Sequence, residues 1–393
     1  MLQRLSVKNY KTFYYKTGIS MKAQPYGHLP DMVMDNGLLR IGMIFGANNV
    51  GKSKLIDALR LIRDYACLND RKDADSLLTG SILGNWGGRG TDLKKQPPDF
   101  LDENTEISID ILIEESGLTF LYRYTLTLRP TLKDDYTRGK LYSDNPDYTK
   151  VRYRVVSETI KLCRENDKWS YRFVYYKIGE ESRLSDNLSN QHANRVYNWL
   201  KNDLIIIDIR DQFPFESLQK PEYYLYNLNE VVRCMDVGID RLEYADNGYR
   251  VVHTGGWKSD VSEESEGTRR IIGLGPALIP GYDGKTIVID ELNRKLHPDL
   301  TRRFIELFLQ ENEEKKQLLF TTHETRLLDD WLFRRDEIWF VRGMTIKEIE
   351  KKMKKGEWGC NSSVCISVSE NDARTLWEKY TDELKGVLTT EGK

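Results

Sequence analysis

GANNVGKSK, residues 46–54, lies between an apolar run, LLRIGMIF (38–45), and an amphipathic one, LIDALRLI (55–62). The first predicts a buried strand and the second a helix. Gly46, Asn48, Asn49 and Gly51 are weak helix formers set where the chain must turn between the two. The stretch fits GxxxxGK[ST] in full, in the strand-before, helix-after context that the pattern requires. Gly46 and Gly51 allow backbone angles that aim successive N–H groups inward at a phosphate. The helix beginning near Lys52 adds its positive end and its unpaired donors. Lys52 has no sequence-near acid to pair with. The expected cradle is therefore Gly46, Asn48, Asn49, Val50, Gly51, Lys52, Ser53 and Lys54, with Lys52 bridging β- and γ-phosphates and the Ser53 hydroxyl on Mg2+.

The rest of the composition bounds the answer. At 393 residues the chain is long enough for two domains, or for one large domain with an insertion. No apolar run reaches membrane-spanning length, and MLQRLSVKNYKTF lacks the apolar core of a signal peptide, which predicts a cytoplasmic protein. A net charge of −2 supplies no global basic footprint, so nucleic acid is not indicated and any contact with it needs a local patch. Cys67, Cys163, Cys234, Cys360 and Cys365 are scattered without a CxxC pair, arguing against a disulfide framework or a zinc site.

Four segments follow from the pattern. Residues 1–103 read strand, loop, strand, glycine loop and helix, ending in breakers such as GNWGGRGTD. Residues 104–190 change to alternating runs, EISIDILIEESGLTFLYRYTLTLRP and KVRYRVVSETIKLCRENDKWSYRFVYYK, which predict an antiparallel β insertion. Residues 191–345 contain QHANRVYNWLKN, LIIID, the amphipathic LNEVVRCMDVGIDRL, then KTIVIDE, PDLTRRFIELFLQ, QLLFTTH, ETRLLDDWLF and DEIWFV. Short apolar strands alternating with helices predict an α/β fold with a mostly parallel sheet flanked by helices. Residues 346–393 form a lysine-rich, polar tail.

Three further groups would complete a phosphate site. KTIVIDE ends a strand with Asp290, expected to hold the Mg2+ shell, and Glu291, expected to polarise the attacking water as general base. Ligands of open parallel sheets bind at that carboxyl edge. QLLF ends in Thr321-Thr322-His323, which places His323 where it can hydrogen-bond a γ-phosphate. Ser265-Glu266-Gly267-Thr268 precedes RRIIGLGPALI, with Ser265 as a plausible N-cap and Gly267 allowing close backbone approach. Plain helix capping explains those four residues equally well.

The order GANNVGKS, SEGT before a helix, IVIDE followed by LHP, then TTH resembles ABC-type, AAA-family P-loop ATPases of the RecF, SMC and OLD kind. It looks more closely like the short ATPases of bacterial abortive-infection and phage-defence operons. The resemblance covers roughly 1–66 and 190–345. It implies ATP and Mg2+ as ligands and ATP hydrolysis to ADP and phosphate. Lys52 and Ser53 fall on the Walker A motif, Ser265 and Gly267 on the signature, Asp290 and Glu291 on the Walker B, and His323 on the switch histidine. It further implies a homodimer or higher homo-oligomer sandwiching two ATPs, Ser265 and Gly267 facing the other copy's γ-phosphate. Asn293 and His297 fall on the inter-subunit loop. No glutamine stands out as a Q-loop; Gln96 is the best candidate.

The favoured reading is an ATP-driven switch or sensor in phage defence, controlling a separate effector such as a nuclease or toxin encoded nearby. About 50 residues follow the ATPase elements, too few for a nuclease domain of usual size. The alternative is a RecF- or SMC-like ATPase that clamps duplex DNA, although no long heptad run is present. A membrane-transporter subunit is disfavoured, so no membrane partner is expected.

Overall fold

A computed structural model describes residues 1–25, 29–68, 77–78, 103–132, 151–163, 184–207, 221–235, 238–245, 248–280, 284–310, 315–355, 363–367 and 378. In chain order the strands are β1 (Leu2–Lys8), β2 (Thr17–Ser20), β3 (Ile41–Phe45), β4 (Thr105–Glu115), β5 (Leu118–Leu132), β6 (Val151–Cys163) and β7 (Leu204–Ile207). They continue with β8 (Ile239–Ala245), β9 (Gly248–His253), β10 (Lys258–Asp260), β11 (Thr286–Ile289), β12 (Gln317–Thr322), β13 (Ile338–Gly343) and β14 (Ser363–Ser367). The described helices are α1 (Lys52–Ala66), α2 (Gln191–Asn198), α3 (Pro221–Cys234), α4 (Glu266–Leu274), α5 (Pro298–Gln310) and α6 (Ile346–Lys354). Candidate Gln96 lies outside the described residues.

The chain divides into two compact units: Met1–Lys22 with Gly46–Leu204 and Trp339–Ser367, and Ala23–Phe45 with Ile205–Ile338 and Val368–Lys393. In the first, an antiparallel sheet runs in the order β2-β1-β4-β5-β6. Period-two alternation builds it. Leu5 and Val7 on β1, Ile107, Ile109 and Ile111 on β4, and Tyr122, Tyr124, Leu126 and Leu128 on β5 are fully buried. The register Leu5↔Ile109↔Tyr124 stacks them on one face, and each such side chain contributes about 1.5–3 kcal/mol on burial. The ESG between the two alternating runs forms a two-residue hairpin, with Ser116 and Gly117 at φ 52° and 75° between Glu115 and Leu118. These positive angles match the strand twist. α1 buries Leu55, Ile56, Leu59, Ile62 and Ala66 at helical spacing.

In the second unit β3, β12, β11 and β7 lie side by side, and β11–β12 and β12–β3 are parallel. All residues of β3, β11 and β12 are buried, as expected of strands covered on both faces. α5 matches PDLTRRFIELFLQ from end to end. Pro298 opens it where no N–H partner is needed, and Thr301, Phe304, Ile305 and Phe308 form its buried stripe. α4 ends at Gly275, where a Cβ would meet Leu228 of α3 at 2.4 Å.

Several expectations change. "Mostly parallel" describes the β3–β12–β11 layer only, since the five-stranded sheet is antiparallel throughout and β13 pairs β14 antiparallel. β1 belongs to that antiparallel sheet, beside β4, because its partner is chosen by long-range pairing that its own residues do not encode. LNEVVRCMDVGIDRL is not one helix. α3 stops at Cys234, Gly238 adopts φ 71°, and Ile239–Ala245 becomes β8 of a β10-β9-β8 meander. ETRLLDDWLF makes one 3-10 turn at Thr325–Leu327, and Asp329 Oδ1 accepts from the Trp331 N–H. That local side-chain bond competes with a helix.

Candidate nucleotide site

The glycine loop belongs to the first unit, and its shape comes from crowding beneath it. A Cβ on Gly46 would lie 2.4 Å from the Val341 carbonyl oxygen, so no other residue fits without moving the backbone. Gly51 sits at φ 111°, and a Cβ there would meet Thr12 Oγ1 at 2.6 Å. Asn49 also takes a left-handed angle, φ 65°. Ser363 Oγ donates to the Val50 carbonyl at 2.6 Å, bracing the loop from β14. The crest, Ala47 to Asn49, is exposed.

Lys52 is buried, at 6% exposure, and its Nζ donates to the carbonyls of Gly46 and Ala47 at 2.7 and 2.8 Å. Neutral carbonyls are modest partners for a buried ammonium, whereas a phosphate offers full counter-charge. α1 has no side-chain N-cap, since Gly51 stands at that position. The contrast with α2 and α4 is direct, since Asn190 and Ser265 cap those helices. Lys54 lies 3.8 Å from Asp57, whose other partner is Lys11 at 2.7 Å. Burial lowers the Lys11 ammonium to about 8, with Asp57 opposing that shift.

The carboxylates lie in the second unit, just past β11. Ile289 pairs with Phe320, and Phe45, the residue before Gly46, pairs with Thr322. The carboxyl ends of β11, β12 and β3 therefore share one edge. Asp290 is buried and Oδ1 accepts from Thr321 Oγ1 at 2.5 Å. The same hydroxyl accepts the Glu291 N–H at 2.7 Å. Glu291 takes φ 49°, an angle that costs a non-glycine residue about 1–2 kcal/mol. Arg270 Nη2 donates to the carbonyls of Asp290 and Glu291, each at 3.2 Å. The Glu291 side chain is 30% exposed, with Arg294 Nη1 3.4 Å from Oε2. A carboxylate held by its backbone and open at its tip suits a general base.

His323 is exposed, and its Nε2 lies 3.4 Å from Asn293 Nδ2. Asn293 Oδ1 in turn accepts from Thr322 Oγ1 at 3.0 Å. Ser265 accepts the Thr268 N–H at 3.1 Å, so it does cap α4. Gly267 packs against the turn after Glu291, where a Cβ would stand 3.1 Å from the Lys295 carbonyl. An ion pair between Glu266 and Lys295 joins the same elements.

The second unit thus gathers Asp290, Glu291 and His323 at one strand edge and sets Gly267, two residues past Ser265, against the turn that follows, and the first presents Gly46 to Lys54 as a loop. Ser53 in the first unit and Asp290 in the second each carry a hard oxygen donor of the type Mg2+ takes. Sequence reasoning assigned no role to Thr321, Arg270 or Lys11. A doubled threonine before the histidine and an arginine two residues past SEGT were the only local signals, and neither names its partner.

No curated protein matches the chain. Among solved structures it is similar to the SMC head domain from Thermotoga maritima, at 15% identity and TM-score 0.43, over 93% of this chain and 99% of that one. It is also similar to the SmcHead bound to the C-winged helix domain of ScpA, at 13% identity and TM-score 0.48, over 93% and 98%. Residues 42–329, from within β3 through the strand-edge groups just described, match the family described as "AAA domain, putative AbiEii toxin, Type IV TA system", and the chain belongs to that family.

Proposed function

We propose that the chain is the ATP-binding and ATP-hydrolysing switch or sensor subunit of an anti-phage defence system of abortive-infection type. It would control a separate effector, a nuclease or toxin, through ATP-dependent homodimerisation or higher assembly. The carrying observation is the combination of a helix, α1, without a side-chain N-cap behind a Lys52-anchored glycine loop, and an acidic turn held by Thr321 and Arg270. The family description, with its toxin–antitoxin setting, supports the defence context.

In this reading the loop N–H groups and Lys52 bind the triphosphate. Ser53 and Asp290 would hold Mg2+, which would supply counter-charge to the phosphate oxygens. Glu291 accepts the proton of the attacking water, and His323 contacts the γ-phosphate. Ser265 and Gly267 serve the nucleotide of a second copy.

Steady-state ATP hydrolysis and nucleotide binding test the chemistry. Lys52→Ala should lose ATP binding. Glu291→Gln should keep ATP while hydrolysis falls by roughly 10²–10⁴-fold; unchanged turnover would remove Glu291 from its role. Co-expression with the product of the adjacent gene tests the biology. A stable complex whose toxicity depends on Lys52 supports the switch. ATP-dependent duplex binding by the isolated chain, weakening steeply with salt, would favour a DNA clamp instead.

A further inference from the structure

Arg270 lies on α4, five residues after Ser265, yet its guanidinium reaches out of the helix to the acidic turn. Nη2 stands 3.2 Å from both the Asp290 and the Glu291 carbonyl oxygens. Successive carbonyls of an extended strand point to opposite sides, so two neighbours converging on one nitrogen require a reversal. The reversal is Glu291 itself, at φ 49°. Its N–H is held by Thr321 Oγ1 at 2.7 Å and its C=O by Arg270, so the backbone that carries the carboxylate is fixed from both sides.

Two more contacts join the start of α4 to the same turn, the Glu266–Lys295 ion pair and the approach of Gly267 to the Lys295 carbonyl. Glu266, Gly267 and Arg270 occupy one and a half turns of helix, beginning at the Ser265 cap. The start of α4 is therefore joined to residues 290–295 at three points. Only Arg270 contacts the peptide units of Asp290 and Glu291 among them. A guanidinium hydrogen-bonds carbonyls through fixed, planar donors, which makes it a stiff connector.

We propose that Arg270 is a positioning residue: by holding the Asp290 and Glu291 peptide units from α4 it fixes the direction in which the Glu291 carboxylate leaves the turn, and so sets the rate of hydrolysis. The proposal rests on the ATPase reading above. It assigns Arg270 no contact with nucleotide, so its removal should act on turnover and not on affinity.

The test compares Arg270→Ala, Glu291→Gln and the double variant, by steady-state ATPase, ATP affinity and thermal melting. Arg270→Ala should lower kcat by about 10- to 100-fold, the scale of a misplaced catalytic group, with ATP affinity within about twofold of wild type. In the Glu291→Gln background the same change should alter the residual rate by less than about twofold, because the residue it acts through is already disabled. Full additivity in the double variant, or wild-type kcat in Arg270→Ala, overturns the proposal. Should Arg270→Ala fail to fold, Arg270→Gln, which shortens the reach and removes the charge, decides the question: reduced kcat at unchanged affinity supports it, wild-type kcat overturns it. If the wild-type chain does not hydrolyse ATP, the ATPase reading fails and this inference with it. If wild type hydrolyses, Glu291→Gln stops it, and Arg270→Ala is silent, this inference alone fails.

Discussion

Thr321 shows how much one hydroxyl can carry. It donates to Asp290 Oδ1 at 2.5 Å, accepts the Glu291 N–H at 2.7 Å, and is fully buried. Valine has the same shape without the polar atom, so Thr321→Val takes the donor from the buried Asp290 Oδ1 and the acceptor from the part-buried Glu291 N–H. The expected loss is roughly 1–3 kcal/mol of unfolding free energy, read as a lower urea midpoint at unchanged slope, together with a fall in kcat. Thr321→Ser restores both, and a stable Thr321→Val variant with normal kcat would remove the hydroxyl from the site. Gly46 makes a second residue-scale case. With the Val341 carbonyl 2.4 Å from any Cβ, Gly46→Ala must shift the loop backbone, and weaker ATP binding should follow.

At the scale of elements, α1 is tied to the 9–13 turn by Lys11 and Asp57. The Lys11 side chain is only 1% exposed, and burial lowers its folded-state value from 10.5 to about 8. Between those values the unfolded chain binds more protons than the folded one, so stability rises with pH across that window. Below about pH 8 the cost of burying the charged form is present in full. Lys11→Met removes this titration, so the gap between wild type and variant should shift in favour of wild type by a few kcal/mol between pH 8 and 10.5. Chemical denaturation at fixed pH values measures it, and a pH-independent gap would mean that Lys11 titrates normally. The cysteine thiols follow the same logic. Burial raises Cys365 to about 12 and Cys67 to about 11, so both should resist alkylation at pH 8 until the protein unfolds.

For the whole molecule the expected behaviour is assembly on ATP. Glu291→Gln with ATP should at least double in mass by light scattering, and Lys52→Ala should not. Ser265→Asp separates the local and intermolecular roles of that residue. Aspartate is as good an N-cap as serine, so α4 and the melting temperature should be kept. A carboxylate facing a partner's phosphates would nonetheless block assembly and hydrolysis while leaving monomer affinity for ATP intact. Normal assembly in Ser265→Asp would confine Ser265 to the capping bond seen within the chain. Among the described residues no helix is long and apolar enough to cross a membrane.

By itself the sequence determined the parts whose signals are local. The glycine loop, α1, the buried strands β3, β11 and β12, the stripe of α5 and the hairpin at Ser116-Gly117 all rest on turn chemistry or on a period of two or 3.6 residues. Candidate site residues next to those signals, from Gly46 to Lys54 and at Asp290, Glu291 and His323, were legible for the same reason. Tertiary structure alone decided that β1 joins an antiparallel sheet, that residues 239–245 leave a helical pattern for a meander, and that Arg270 and Thr321 hold Glu291 in a left-handed turn. Those outcomes depend on partners far away in the chain, and neither a strand's neighbour nor the destination of a guanidinium is written in the residues beside it.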